Sequence, residues 1–161
     1  MKIDELDVRI IELLEQDPRT NGVDAAQKLG VARATYQSRL DRLISSGVLS
    51  LTPTVNPAAI GFSVTAFISA EITQSSRGPG LIATLNAIPE VTEISTVTGS
   101  SDLLIRAVAV SNSDLQRVLD QIARHDDVLR TSTAIALDNQ LPSRTVQLAR
   151  RRLSMRDENN S

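Results

Sequence analysis

The residues best suited to chemistry lie on one short stretch, Leu29 to Leu49, LGVARATYQSRLDRLISSGVL. Tyr36, Leu40, Leu43 and Ile44 recur at i, i+4, i+7 and i+8, which predicts a helix beginning near Ala32 with one apolar stripe toward a core. The opposite face carries Arg33, Thr35, Gln37, Ser38, Arg39 and Arg42. Short hydrogen-bonding side chains followed by arginines suit a helix whose first turns face DNA base edges and whose later residues meet phosphate. Arg33, Thr35, Gln37 and Ser38 are the base-reading candidates, and Arg39 and Arg42 have phosphate or structural duty. By itself the stretch also fits an ordinary amphipathic surface helix closed by Gly47. The preceding segments shift the balance.

Ile3, Leu6, Ile10, Leu13 and Leu14 predict a first helix from about Asp4 to Glu15, with Asp4, Glu5, Asp7, Glu12 and Glu15 on its polar side. Asp17-Pro18-Arg19 breaks it. Asn21 with Asp24 reads as an N-cap and an acidic N3 residue of a short helix that ends at Leu29 before Gly30. Three helices with tight breaks form a helix-turn-helix module. Val48, Leu49 and Leu51 are expected to continue as a strand. Pro53, Asn56, Pro57 and Gly61 mark an extended linker, because proline restrains itself and the residue before it.

From Phe62 the period changes to two: Val64, Ala66, Ile68, Ala70 and Ile72 alternate with Thr65, Phe67, Ser69, Glu71 and Thr73. A turn over Gln74 to Gly80, a helix with Leu81, Ile82, Leu85 and Ile88, strands over Val91 to Thr98 and Leu103 to Val110, a helix over Asp114 to Arg124 and a strand over Leu129 to Leu137 follow. The order βαββαβ predicts an antiparallel sheet with both helices on one face, a ferredoxin-like unit. The other face must also be covered, and a two-fold dimer is the common solution. The fold class is therefore α+β, an N-terminal winged-type helix-turn-helix domain (1–50), an extended hinge (51–62), a ferredoxin-like βαββαβ domain (63–140) and a flexible C-terminal extension (141–161). In that extension Arg144, Arg150, Arg151, Arg152 and Arg156 could add non-specific phosphate contacts, while Val146, Leu148, Ala149 and Leu153 are too irregular to define an amphipathic helix.

Composition narrows the chemistry. The chain has no cysteine, which excludes disulfides and thiolate metal sites. Net charge is −2, so any basic patch is local: Lys28, Arg33, Arg39 and Arg42 stand against Asp41 alone between positions 28 and 42. Tyr36, Phe62 and Phe67 are the only aromatics, too few for a base-stacking platform on single strands. The charged start MKIDELDVRI and the absence of a long apolar run suggest no signal peptide and no membrane span, hence a cytoplasmic location. His125 beside Asp126 and Asp127 ends a helix, where a solvated histidine is favoured by the dipole. Neither a metal nor another cofactor is implied.

IDELDVRIIELLEQDPRT, AAQKLGVARATYQSRLDRLISSGVL and VNPAAIG, in that order and spacing, resemble the leucine-responsive protein and AsnC family of bacterial transcription regulators, and the resemblance continues to about Leu137. Ala25 stands where a leucine is common, Tyr36 replaces a small aliphatic residue, and Ala32 replaces a capping serine. The resemblance implies double-stranded DNA as one partner, a small effector (most often an amino acid) as another, and a homodimer that builds larger rings such as tetramers or octamers. It also places an effector site at Gly99, Ser100, Ser101 and Asp102 with Thr131 and Thr133. There the carboxylate would meet an ammonium and the turn amides a carboxylate. From the residues alone the same GxxD turn is an ordinary β-turn, and the threonines fit a β face. Two other functions share the architecture: a decarboxylase of haem precursors, and a sensor module without DNA binding.

Overall fold

The computed structural model describes residues 2–73, 79–141 and 143–158, and the chain forms two compact units. The first comprises Met1–Pro53 together with Leu141–Ser161, and the second comprises Thr54–Gln140. The predicted turn over Gln74 to Gly80 lies outside the described residues up to position 78.

In the first unit α1 (Glu5–Gln16), α2 (Gly22–Leu29) and α3 (Arg33–Ser45) enclose a core of Val8, Ile10, Ile11, Leu14, Ala25, Ala26, Leu29, Tyr36 and Leu43. The caps explain where the helices start. Asp4 accepts the Asp7 amide while the Asp7 carboxylate accepts the Asp4 amide, a reciprocal capping box at α1. Asn21 accepts the Val23 and Asp24 amides and opens α2, as its sequence suggested. Gly30 closes α2 at φ 69°, a left-handed conformation that a side chain would oppose. At α3 the cap is Ala32, with no side-chain hydrogen bond to the first turn. Ala32→Ser is therefore expected to stabilise the unit by about 1 kcal/mol, read as a raised urea midpoint. An unchanged midpoint would mean that the first turn is already satisfied.

Two expectations for this unit change. Ile44 is 42 % exposed, because a residue eight positions beyond Tyr36 is rotated by about 80° from it on a 3.6-residue helix and leaves the stripe. Val48, Leu49 and Leu51 form no strand: the Val48 and Leu49 amides both close onto the Leu43 carbonyl at the end of α3, and Leu49 folds back against the core. No other segment of the unit offers these residues a ladder partner among the described residues.

The C-terminal extension departs further from expectation. Val146–Glu158 is a helix, α6, packed along α1. Val146, Ala149 and Leu153 sit one turn or so apart against the core, to which Leu6 and Leu13 of α1 also pack. Arg150 donates to both Glu5 and Glu12 at 2.6 Å, and Arg156 donates to the Ile3 carbonyl. The four apolar positions looked irregular because Leu148 belongs to another face, where it is 64 % exposed, while Arg150 joins the packed face through its acidic partners.

In the second unit the linker is not wholly extended, since Ala58–Ile60 forms a 3-10 turn between Pro57 and Gly61. Asn56 accepts the Ala58 amide and so nucleates it. Then follow β1 (Val64–Ile72), α4 (Pro79–Asn86), β2 (Val91–Thr96), β3 (Leu103–Ala109), α5 (Asn112–Ala123) and β4 (Val128–Ala136). The sheet order is β2-β3-β1-β4 and every pairing is antiparallel, the expected ferredoxin-like arrangement. Ala66, Ile68, Ala70 and Ile72 meet Leu103, Ile105, Ala107 and Ala109 on the face covered by Leu81, Leu85, Leu115, Val118 and Ile122. The alternate positions of β1 and β3 face the other way, where Phe67 and Leu104 are exposed. Among the described residues no helix is long and apolar enough to cross a membrane.

Candidate nucleic-acid interface and effector cavity

Helix α3 places the six DNA candidates in two distinct settings. Arg33, Thr35, Gln37 and Ser38 are exposed on its first two turns, with Gln37 donating to Asp41 at 2.8 Å. Arg39 and Arg42 instead reach back to α1. Arg42 Nη2 donates to both oxygens of Asp7, at 2.7 and 2.6 Å, and Arg39 contacts Asp7 at 3.2 Å and also pairs with Asp4. Asp7 is fully buried. Burial pushes the Asp4 carboxyl up, but the hydrogen bonds from Arg39 and the Asp7 amide and the charges of both arginines outweigh it and lower its pKa. The same contacts raise Arg39.

Asp7 does not lie on the polar side of α1 as its periodicity suggested. Two acids at i, i+3 at the start of α1, the N-cap Asp4 and Asp7, meet two arginines at i, i+3 on α3, so the Asp7 carboxylate caps its own helix and braces α3. The D-x-x-D spacing before an apolar run was the available signal. A second brace comes from Arg9, which donates to the Leu29 carbonyl at the end of α2.

In the second unit Gly99 has φ 124°, which favours glycine in the turn between β2 and β3. Asp102 pins that turn to β1: its amide donates to the Ala70 carbonyl and its carboxylate accepts the Ile72 amide at 3.0 Å. Below the turn lies a cavity of about 410 Å³ lined by Ile72, Ile82, Thr96, Val97, Thr98, Gly99, Ser101, Asp102 and Leu103. A second cavity of about 210 Å³ brings Ser100, Ser101 and Thr131 together with Ser69, Glu71, Arg130 and Ser132. Thr131 and Thr133 pair across β1 with Ala70 and Ile68, so they share the helix-covered face. Thr133 lines neither cavity. The candidate set is thus divided: Gly99, Ser101 and Asp102 meet at one cavity, and Ser100 and Thr131 meet at the other, which Ser101 also lines. Ile82, Val97, Thr98 and Leu103 were missed as lining. Ile82 beside Leu81 on a two-sided apolar helix was the signal, since only one of the pair can face the core.

His125 accepts the Asp127 amide through Nδ1 at 3.3 Å, a local turn contact at the end of α5.

Comparison with known proteins bears on the family and the fold. The Lrp/AsnC ligand binding domain model matches residues 65–146, and a winged helix-turn-helix DNA-binding model matches residues 3–50. The regulatory protein AsnC of Escherichia coli K12 is 31 % identical over 139 residues, covering 85 % of this chain and 91 % of that protein. The solved structure of E. coli AsnC superposes with a TM-score of 0.83 at 28 % identity, over 91 % of this chain and 99 % of that one. A transcriptional regulator of Neisseria meningitidis, solved in complex with L-methionine, has the same fold at a TM-score of 0.80 and 21 % identity, over 88 % of this chain and 94 % of that one. The chain belongs to the Lrp/AsnC family and is a transcriptional regulator, with a helix-turn-helix DNA-binding domain followed by a ligand-binding domain.

Proposed function

We propose that this regulator binds specific double-stranded DNA through the exposed face of α3, and that an amino acid bound near the turn at positions 99–102 shifts DNA affinity or assembly. The observation that carries the first half is the division of the α3 arginines. Asp7 engages Arg39 and Arg42, so these two act chiefly as braces, and Arg33 with Thr35, Gln37 and Ser38 makes up the reading set. Asp102 and the Gly99 turn beside a cavity support the second half, since a zwitterion needs one acidic partner and one set of amides or hydroxyls. The sheet face bearing Phe67 and Leu104 supports a homodimer, from which tetramers or octamers would be built. Such a protein would work where the DNA is, in the cytoplasm. The effector must favour one assembly or reader orientation, because equal affinity for both would change nothing.

The test is binding of the full chain to its own upstream DNA over a salt series, with and without free amino acids. Selective, salt-dependent binding that one amino acid shifts is the expected result. Arg33→Ala should cost about 1–3 kcal/mol on the specific site and little on competitor DNA. An equal loss on all sequences would remove Arg33 from the reading set, and absence of selective binding at every salt concentration would overturn the DNA reading.

A further inference from the structure

What a side chain can read on a base depends on which of its donors and acceptors are free, and one candidate on α3 is already partly engaged. Gln37 and Asp41 stand at i, i+4, one turn apart, and both are exposed. The Gln37 amide donates through Nε2 to the Asp41 carboxylate at 2.8 Å. A carboxylate only accepts, so it dictates which way the amide turns: the nitrogen lies toward Asp41 and Oε1 away from it. Asp41 thereby takes one of the two amide hydrogens and leaves Oε1 and one N–H to be used outward. Its negative charge is left on this face, because Arg39 and Arg42 are turned to Asp7. On a face that meets DNA that charge repels phosphate, and a pair of this kind stabilises a helix only slightly. What the pair changes most is the hydrogen-bonding pattern that Gln37 presents.

We propose that Gln37 reads the major-groove edge of adenine and that Asp41 is the positioning residue that restricts it to that base, an inference that rests on the DNA reading above. Adenine presents N7 as an acceptor and its N6 amino group as a donor, and the remaining N–H and Oε1 of Gln37 match them. Guanine presents two acceptors, N7 and O6. An amide with both hydrogens free can meet guanine, whereas one held by Asp41 sets Oε1 against an acceptor or leaves O6 without a donor. Asp41 thus lowers affinity for DNA in general and raises discrimination between A·T and G·C at one position.

The test is selection of bound duplexes from a random library by the full chain, followed by titration of the enriched duplex and of its counterpart with the marked A·T pair changed to G·C. The unmodified chain should favour A·T at that position by about tenfold. Gln37→Ala should remove this preference and keep those at other positions. Asp41→Ala should bind both duplexes more tightly at low salt, lose that gain as salt is raised, and erase most of the A·T preference. Both side chains are exposed, so both variants should fold, which circular dichroism checks. Preferences left whole in Gln37→Ala would overturn the proposal, as would a base other than adenine at the position that this variant alters. An undiminished A·T preference in Asp41→Ala would overturn it by reducing the pair to helix support. Loss in Asp41→Ala of a C·G preference that Gln37→Ala retains would overturn it by making Asp41 a reader of cytosine. If the unmodified chain enriches no sequence, the DNA reading itself fails, and the adenine assignment with it.

Discussion

Replacing Asp7 by alanine should cost the DNA-reading unit about 3 kcal/mol, the largest effect of any single substitution considered. Its side chain is fully buried, accepts the Asp4 amide and holds Arg39 and Arg42. Deleting one member of a buried ion network typically costs about 3–5 kcal/mol, because the partners keep their charge and lose their compensation. The lower end applies, since the Arg39 and Arg42 side chains are 29 % and 43 % exposed and can recruit water. Urea unfolding of the full chain checks it, followed by a probe of the reader, with the effector domain's transition as internal reference. Asp7→Asn keeps the shape and one acceptor and should lose less. Because the carboxylate ties α3 to α1, DNA affinity should fall on all sequences together. A loss below 1 kcal/mol would mean that Asp7 is a spectator and return Arg39 and Arg42 to phosphate duty.

Ending the chain at Gln140 should destabilise the same unit by about 2–3 kcal/mol. The deletion strips Val146, Ala149 and Leu153 from the core and removes the clamp of Arg150 on Glu5 and Glu12. The magnitude comes from the apolar contact alone, taking each half-buried valine or leucine at roughly half of 1.5–3 kcal/mol with a smaller share for alanine and α1. The ion pairs add a dependence on pH and salt. The Arg150 hydrogen bond, followed by its charge, lowers the Glu12 carboxyl below its usual value against the opposing effect of burial. A depressed carboxylate contributes stability that is complete above the ordinary glutamate pKa of about 4.3 and is lost as pH falls through its lower folded value. The gap between full-length and shortened chains should therefore be widest near neutral pH and low salt, and narrow in acid. Equal unfolding midpoints at pH 7 would show that α6 rests on α1 without supporting it.

The same two contacts show where reading along the chain succeeds. Local chemistry decided the elements: the caps at Asn21 and Gly30 and the period-two run from Val64 to Ile72. A cap or an alternation involves residues within four positions of each other, so its signal is contiguous in sequence. The order of elements then sufficed for the fold class, and the resemblance of three stretches for the family.

Tertiary structure alone decided which charges were structural. Asp7 looked solvated because acidic side chains on helices usually are, and its burial follows from Arg39 and Arg42, more than thirty residues away. Leu148 made α6 look irregular, and the partners that hold Arg150 on the packed face, Glu5 and Glu12, stand nearly the length of the chain before it. The effector candidates divided for a related reason. Thr131 and Thr133 share a face by parity, but only the register of β4 on β1 sets their distance from the turn at Gly99. Sequence by itself thus determined most of the elements and their order, and marked the residues proposed to read DNA. Packing determined which arginines were already engaged and which aliphatic side chains wall the cavity, because an ion pair or a pocket is a relation between distant segments that no local pattern encodes.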